Sequence, residues 1–175
     1  MKTLKNYMVA VMSILCIPAF AQTDKATTEK IIENQDFVFV ATTAMPLSSQ
    51  DVSAILYKLN SPNSSGAINL SGSRYDLVVK KDSVVAYLPF YGRSYSANLD
   101  PNEAGIKFNS KSFSYEKTKR KKGGWNIVIV PKDVKDHQKM TLYVTESGYA
   151  TLNVMNNNRQ PISFNGYLME AKKKP

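Results

Sequence analysis

Three groups of side chains in this sequence have types and spacing that suit ligand binding or modification. The first lies at residues 87–93, where three aromatic residues, a proline, a glycine and an arginine fall within seven positions. Tyr87, Tyr91 and Arg93 are candidate ligand-binding residues, because aromatic rings pack against ligands and a guanidinium donates to anions. The alternative is structural: the aromatic residues close one end of a barrel and Arg93 binds loop carbonyls.

The second group is a basic run that precedes Gly123 and Gly124, so we expect it at the tip of a hairpin. Like charges this close repel one another unless an anion lies between them. The candidate anion-binding residues are Lys117, Lys119, Arg120, Lys121 and Lys122. An acidic glycan or an anionic lipid headgroup suits such a site, and the alternative is a solvated loop that keeps the protein soluble.

The third candidate is Ser83, within Asp82-Ser83-Val84. This triplet resembles the Asp-Ser/Thr-apolar sequence at which some Gram-negative bacteria attach O-linked glycans. It falls at the tip of an expected hairpin, where a transferase has access. The alternative is an ordinary turn, because so short a triplet occurs often by chance.

Other chemistries have little support in the sequence. His137 is the only histidine, and it lies in a polar turn, so neither a metal centre nor a cofactor is expected. The sequence contains no Gly-x-Ser-x-Gly elbow, and no catalytic residue is predicted. A Ser-His-Asp triad stays open, because its members meet in space and need not be close in sequence.

The first 21 residues have the three regions of a secretory signal peptide. Lys2 and Lys5 are the charged region, residues 8–17 are apolar, and Ala19-Phe20-Ala21 supplies the cleavage site. We therefore expect a periplasmic or secreted protein that starts at residue 22. Nucleic acid is not an expected partner of an exported protein, and no transmembrane segment is expected in the mature chain.

The positive charge of the mature chain is local. Residues 117–122 carry five cationic side chains and residues 172–174 carry three, whereas the rest of the mature chain is close to neutral. Any electrostatic attraction should therefore act through a basic loop and a basic tail.

The pattern of apolar residues predicts mainly β structure. Tyr75, Leu77 and Val79 alternate with more polar positions up to a turn at Lys81-Asp82, which is typical of a hairpin. Helices are expected only at residues 23–35 and 51–59. Strands are expected at residues 37–41, 67–70, 74–80, 83–88, 106–108, 112–117, 125–130, 140–145, 149–154 and 162–169.

Strands at intervals of roughly 8–12 residues indicate a single antiparallel β-barrel or β-sandwich with a short N-terminal helix. Together with the signal peptide and the basic tail, this divides the chain into four parts. Residues 1–21 are the signal peptide, 22–36 the N-terminal helix and linker, 37–171 the antiparallel β domain, and 172–175 the basic tail.

Several segments resemble one family of exported bacterial proteins, domain of unknown function 4251 (DUF4251). The most specific segment is Leu88-Pro89-Phe90-Tyr91-Gly92-Arg93. The others are Tyr75-Asp76-Leu77-Val78-Val79, Asp82-Ser83-Val84, Gly105-Ile106-Lys107-Phe108, Gly148-Tyr149-Ala150-Thr151-Leu152 and Asn158-Arg159-Gln160-Pro161-Ile162-Ser163-Phe164-Asn165-Gly166. The resemblance implies export in a Gram-negative bacterium and implies no activity.

Together these observations favour a non-enzymatic binding or interaction protein of the cell envelope. Its partner would be a small apolar ligand in a cavity, an acidic glycan or an anionic lipid headgroup. Two alternatives remain: a hydrolase with an unrecognised active site, and a structural component of the envelope. A pocket lined by tyrosine favours binding, whereas clustered carboxylates in a cleft favour hydrolysis.

Overall fold

The structure is a computed structural model that describes residues 23–47, 66–95, 105–136 and 138–171. Several sequence predictions lie outside these residues: the signal peptide, the helix at 51–59, His137 and the tail lysines. The described parts contain one helix, α1 (Lys25–Asn34), and ten strands. The strands are β1 (Phe37–Pro46), β2 (Ile68–Asn69), β3 (Asp76–Val79), β4 (Val84–Leu88), β5 (Ile106–Ser110), β6 (Phe113–Lys119), β7 (Trp125–Pro131), β8 (Gln138–Val144), β9 (Tyr149–Asn156) and β10 (Arg159–Glu170).

Nine of the strands form one antiparallel sheet in the order β5-β4-β3-β1-β10-β9-β8-β7-β6, and β2 pairs with β1. In the middle of this order β1 pairs with β10, although these are the first and last of the described strands in sequence. Strands β5 and β6 stand at its two ends but are joined in sequence by Lys111 and Ser112. The sheet therefore curls into a nearly closed barrel, which resolves the expectation of a barrel or a sandwich.

Alternating burial along the strands explains why the sheet curls around one core. In β7, Trp125, Ile127 and Ile129 are buried while the residues between them are partly exposed. One face of β7 therefore lies in the core. Phe37 and Phe39 of β1 and Phe164 of β10 are also fully buried, so the inside of the barrel is filled by side chains.

The central pair of strands bends at a β-bulge between Ala41 and Thr43, opposite Gly166. A Cβ at residue 166 would lie 1.9 Å from the carbonyl oxygen of Val40. Only glycine therefore permits the close approach of β1 and β10 at this point. A bulge bends its strand and increases the local twist, which helps the sheet to close.

Helix α1 lies at one end of the barrel, where Lys25 pairs with Glu146 of the β8–β9 turn and Glu29 pairs with Lys119 at the end of β6. Asp24 caps the start of the helix by accepting a hydrogen bond of 2.6 Å from the backbone N–H of Thr27. Ile31 and Ile32, on the face of the helix that packs against the barrel, are buried. Gln35, which follows the helix, donates from Nε2 to the carbonyl oxygen of Lys80 in the β3–β4 turn at 3.2 Å. The helix therefore closes this end of the barrel.

Within the described ranges, no helix has both the length and the apolar character needed to span a membrane.

Candidate functional site

The segment at residues 87–93 lies at the end of the barrel opposite α1. We call this end the mouth. Tyr87 projects from the outer face of β4 and is 46% exposed, with its ring stacked on Tyr75 at a centroid distance of 5.7 Å. The ammonium of Lys107 lies 5.1 Å from the centroid of the Tyr87 ring. Tyr91 is half-buried. Its burial, and to a smaller extent its electrostatic interaction with Tyr75, raises the pKa of the Tyr91 hydroxyl. Tyr75 thus links the two tyrosines that the sequence singled out.

The backbone of Arg93 joins this segment to the start of β10. Its N–H donates to Oε1 of Gln160 at 3.1 Å, and the N–H of Gln160 donates to the carbonyl of Arg93 at 3.0 Å. The N–H of Tyr95 donates to the carbonyl of Asn158 at 2.7 Å, so residues 93–95 run beside residues 158–160. These contacts fix the backbone of the segment beside the start of β10, and the roles of Tyr87, Tyr91 and Arg93 stay a prediction.

A different arginine, Arg159, is the buried cation of the mouth. It is only 7% exposed, and it donates from Nη1 to the carbonyl oxygen of Gly105 at 2.8 Å. Its guanidinium lies 5.2 Å from the centroid of the Phe90 ring. Sequence reasoning missed Arg159, because a basic residue after three asparagines is typical of an exposed turn.

The basic run divides into two parts with different partners. Lys117 and Lys119 lie in β6, and they form ion pairs with Glu33 and Glu29 of α1, each at 3.1 Å. These two lysines hold the helix against the sheet. Arg120, Lys121 and Lys122 lie in the β6–β7 turn and are exposed, as the sequence predicts for a hairpin tip.

Arg120 lies over an aromatic ring on the outer face of the sheet. Its guanidinium is 5.9 Å from the centroid of the Tyr143 ring, in reach of a cation–π interaction. Among the described residues no carboxylate forms an ion pair with Arg120. Tyr143 is 38% exposed, and Tyr149 of the next strand is 53% exposed.

These residues border an open groove of about 340 Å³ across β8, β9 and β10. Tyr143 pairs with Thr151, and Tyr149 lies two residues before Thr151 on the same face. Tyr143 and Tyr149 are therefore diagonal neighbours across the strand pair, a position at which residues are about 7–8 Å apart. Arg120 stands at one side of the groove. Thr145, Thr151 and Asn165 supply its polar lining.

The polar lining is held in place by its own hydrogen bonds. The hydroxyl of Thr151 donates to Oδ1 of Asn165 at 3.0 Å, and the hydroxyl of Thr145 donates to the carbonyl of Tyr149 at 3.1 Å. Each hydroxyl oxygen still has lone pairs that can accept from a ligand. The groove therefore offers two aromatic faces, fixed hydroxyl acceptors and one cation. Sequence reasoning missed Tyr143 and Tyr149, because tyrosine is common at half-buried strand positions.

Ser83 lies in the turn between β3 and β4, where its partly exposed hydroxyl donates to Oδ1 of Asp82 at 2.9 Å. The serine is at the predicted hairpin tip. Its glycosylation stays a prediction.

Groups suited to metal binding or acid–base catalysis are sparse. Among residues 23–47, 66–95, 105–136 and 138–171, no three His, Cys, Asp or Glu side chains are placed to hold a metal ion. Burial raises the pKa of Asp76, which lies on the outer face of β3 directly opposite Tyr87 of β4. Within the described ranges, Asp76 is the one carboxylate whose pKa is raised, whereas glycoside hydrolysis uses a pair of carboxylates.

The molecule is thus an antiparallel, barrel-like β protein with an aromatic and cationic groove on its outer face. The chain belongs to the family described as Domain of unknown function (DUF4251), whose model matches residues 20–168. A crystal structure of a DUF4251 family protein from Bacteroides eggerthii DSM 20697 is similar in fold, with a TM-score of 0.55 and 12% sequence identity. The similarity covers 83% of this chain and 87% of that one. A comparison with curated proteins gave no significant match.

Proposed function

We propose that this chain is an exported, non-enzymatic binding protein of the bacterial cell envelope, and that it holds an acidic glycan in the groove bordered by Arg120, Tyr143 and Tyr149. The observation that carries the proposal is the placement of the Arg120 guanidinium over Tyr143 at the edge of that groove. The N-terminal signal peptide predicted from the sequence supports the location.

The chemistry of the groove suits a sugar with a carboxylate. The apolar face of a sugar ring packs against an exposed tyrosine, while sugar hydroxyls donate to threonine and asparagine oxygens. Arg120 is the group that selects an acid, because a guanidinium binds a carboxylate through two parallel hydrogen bonds. A volume of about 340 Å³ is near the lower end of the usual range of roughly 300–1,000 Å³ for ligand sites.

A small apolar ligand is less well suited, because the inward-facing side chains of the barrel pack against one another in a single cluster. An anionic membrane would attract every cationic side chain of the basic run. Two of them, Lys117 and Lys119, already form ion pairs with Glu33 and Glu29. The groove therefore favours a glycan over a lipid headgroup.

Binding of polygalacturonate, measured by isothermal titration calorimetry, tests this proposal. Arg120→Gln removes a charge-assisted hydrogen bond of about 1.5–3 kcal/mol, so binding should weaken by roughly 10- to 100-fold. Tyr149→Ser should weaken it as well by removing a stacking surface. Lys132→Gln is the matched control, because it removes the same charge from an exposed position after β7.

Equal losses from Arg120→Gln and Lys132→Gln would show nonspecific attraction and reject the groove. Release of shortened oligosaccharides from the polymer would reject the non-enzymatic assignment and favour the hydrolase. Export is tested separately by N-terminal sequencing of protein from its own host, which should start at Gln22. Retention of Met1 would contradict export.

A further inference from the structure

The glycan groove is longer across the strands than along them. Its lining crosses three strands, from Tyr143 of β8 through Thr151 of β9 to Asn165 of β10, and these residues pair in register. Neighbouring strands lie about 4.8 Å apart, so the two spacings from β8 to β10 cover about 10 Å. Along β9 the lining extends only from Tyr149 to Thr151, which covers about 7 Å. A linear ligand held in this groove would therefore cross the strands.

Tyr167 extends the aromatic side of the groove onto a third strand. It lies on β10 directly opposite Tyr149 of β9 and is partly exposed. Its sequence neighbour Leu168 is fully buried, so Tyr167 faces outward, as Tyr149 does. Side chains directly opposite each other in an antiparallel pair have Cβ atoms about 4.5–5.5 Å apart. Tyr143, Tyr149 and Tyr167 therefore place one ring on each of three successive strands.

The part of the groove on β10 also offers a hydrogen-bond donor. The side-chain nitrogen Nδ2 of Asn165 donates to Sδ of Met45 at 3.6 Å. A thioether sulfur is a weak acceptor, and Nδ2 carries a second hydrogen, so a sugar oxygen can accept from Asn165. The end of the groove at β10 thus provides a ring and a donor, whereas the end at β8 provides the cation Arg120.

We propose that the groove holds three consecutive sugars of a linear acidic glycan, one over each of β8, β9 and β10, with the third sugar packed on Tyr167. This inference rests on the proposed function, because it takes the acidic glycan bound by Arg120 as given. A pyranose unit of an extended chain is similar in length to the spacing between strands, so one sugar falls on each ring. Arg120 binds the carboxylate of the sugar over β8, and Tyr167 sets the length of chain that is recognised.

Galacturonic acid oligomers of increasing length test the number of sugar positions. Isothermal titration calorimetry should show trigalacturonic acid binding about three- to tenfold more tightly than digalacturonic acid, because only the trimer reaches the third ring. Tetragalacturonic acid should bind about as tightly as the trimer. An affinity that keeps rising with each added unit would show attraction to charge and overturn the proposal. Equal affinities of dimer and trimer would overturn the third position alone, whereas no binding of any oligomer would reject the groove as well.

Variants of Tyr167 isolate the third position without changing the charge of the protein. Tyr167→Ser should reduce the affinity for the trimer to that for the dimer. The affinity for the dimer should stay unchanged, which also shows that the variant is folded. Tyr167→Phe keeps the ring and should keep most of the affinity for the trimer.

Met169→Ser is the matched control, because Met169 is an exposed residue two positions further along the same strand and face. It should leave the affinity for the trimer unchanged. A loss of trimer binding in Met169→Ser but not in Tyr167→Ser would show a chain that runs along β10 and would overturn the proposal. A Tyr167→Ser variant that weakens dimer and trimer equally would overturn it too, because the tyrosine would then act on the fold of the groove.

Discussion

At the scale of single residues, Asp133 shows how one carboxylate holds the seam of the barrel. Its Oδ1 accepts from the hydroxyl of Ser110, and its Oδ2 accepts from the N–H groups of Lys111 and Ser112 at 2.9 and 3.2 Å. Asp133 follows β7, whereas the three donors lie at the junction of β5 and β6. The carboxylate therefore joins the two ends of the sheet, which are not paired with each other as strands.

The pH dependence of stability should report this contact. The hydrogen bonds from Ser110 and then from Lys111 hold the pKa of Asp133 below its usual range. Because the pKa is lower in the folded state, the stabilisation is present above the unfolded value of about 3.9 and is lost as the pH falls through the folded value. The thermal midpoints of the wild type and Asp133→Asn should thus differ at about pH 6 and converge in acid.

Asp36→Asn is the control for this comparison, because it removes the same charge from an exposed residue. A gap between the wild type and Asp133→Asn that stays constant down to about pH 2 would contradict the contribution of the Asp133 carboxylate.

At the scale of elements, the spacing of two glutamates on α1 matches the spacing of two lysines on β6. Glu29 and Glu33 lie four residues apart on one helix face, and Lys119 and Lys117 lie two residues apart on one strand face. Each pair is partly exposed and contributes about 0.2–1 kcal/mol. The helix is short, so these pairs and the burial of Ile31 and Ile32 keep it docked.

Charge reversal tests this docking. Glu29→Lys combined with Glu33→Lys should lower the midpoint of urea unfolding, because two attractions become repulsions. Adding Lys117→Glu and Lys119→Glu should restore most of the loss, and the difference should shrink in about 1 M salt. A fourfold variant as unstable as the helix double variant would show that these pairs do not form in solution.

Local patterns in the sequence predict most elements of this fold. The alternation at residues 74–80 and the Lys81-Asp82 turn predict the β3–β4 hairpin, which the structure has at Asp76–Val79 and Val84–Leu88. The predicted helix at 23–35 appears as Lys25–Asn34. These features depend on neighbouring residues, so the sequence carries them directly.

At the scale of the whole molecule, closure of the barrel and the proposed glycan groove depend on residues distant in sequence. Arg159 is buried where Phe90 and Gly105, which are distant from it in sequence, come into contact with its guanidinium. Gln138 looks like a polar turn residue until the register places it beside Asn156. The groove likewise needs Arg120 of one turn to meet Tyr143 of another strand. Local pattern cannot predict such meetings, because strand order decides them.

The most direct test of the glycan groove is a map of backbone amide shifts in ¹H–¹⁵N NMR spectra during titration with trigalacturonic acid. The largest shifts should fall at Arg120, Thr145, Tyr149 and Thr151, and the neutral trisaccharide maltotriose should produce much smaller ones. The amides of Gly105 and Gln138 at the mouth should not move. Shifts spread over exposed lysines such as Lys81 and Lys132, or no shifts at all, would contradict the account.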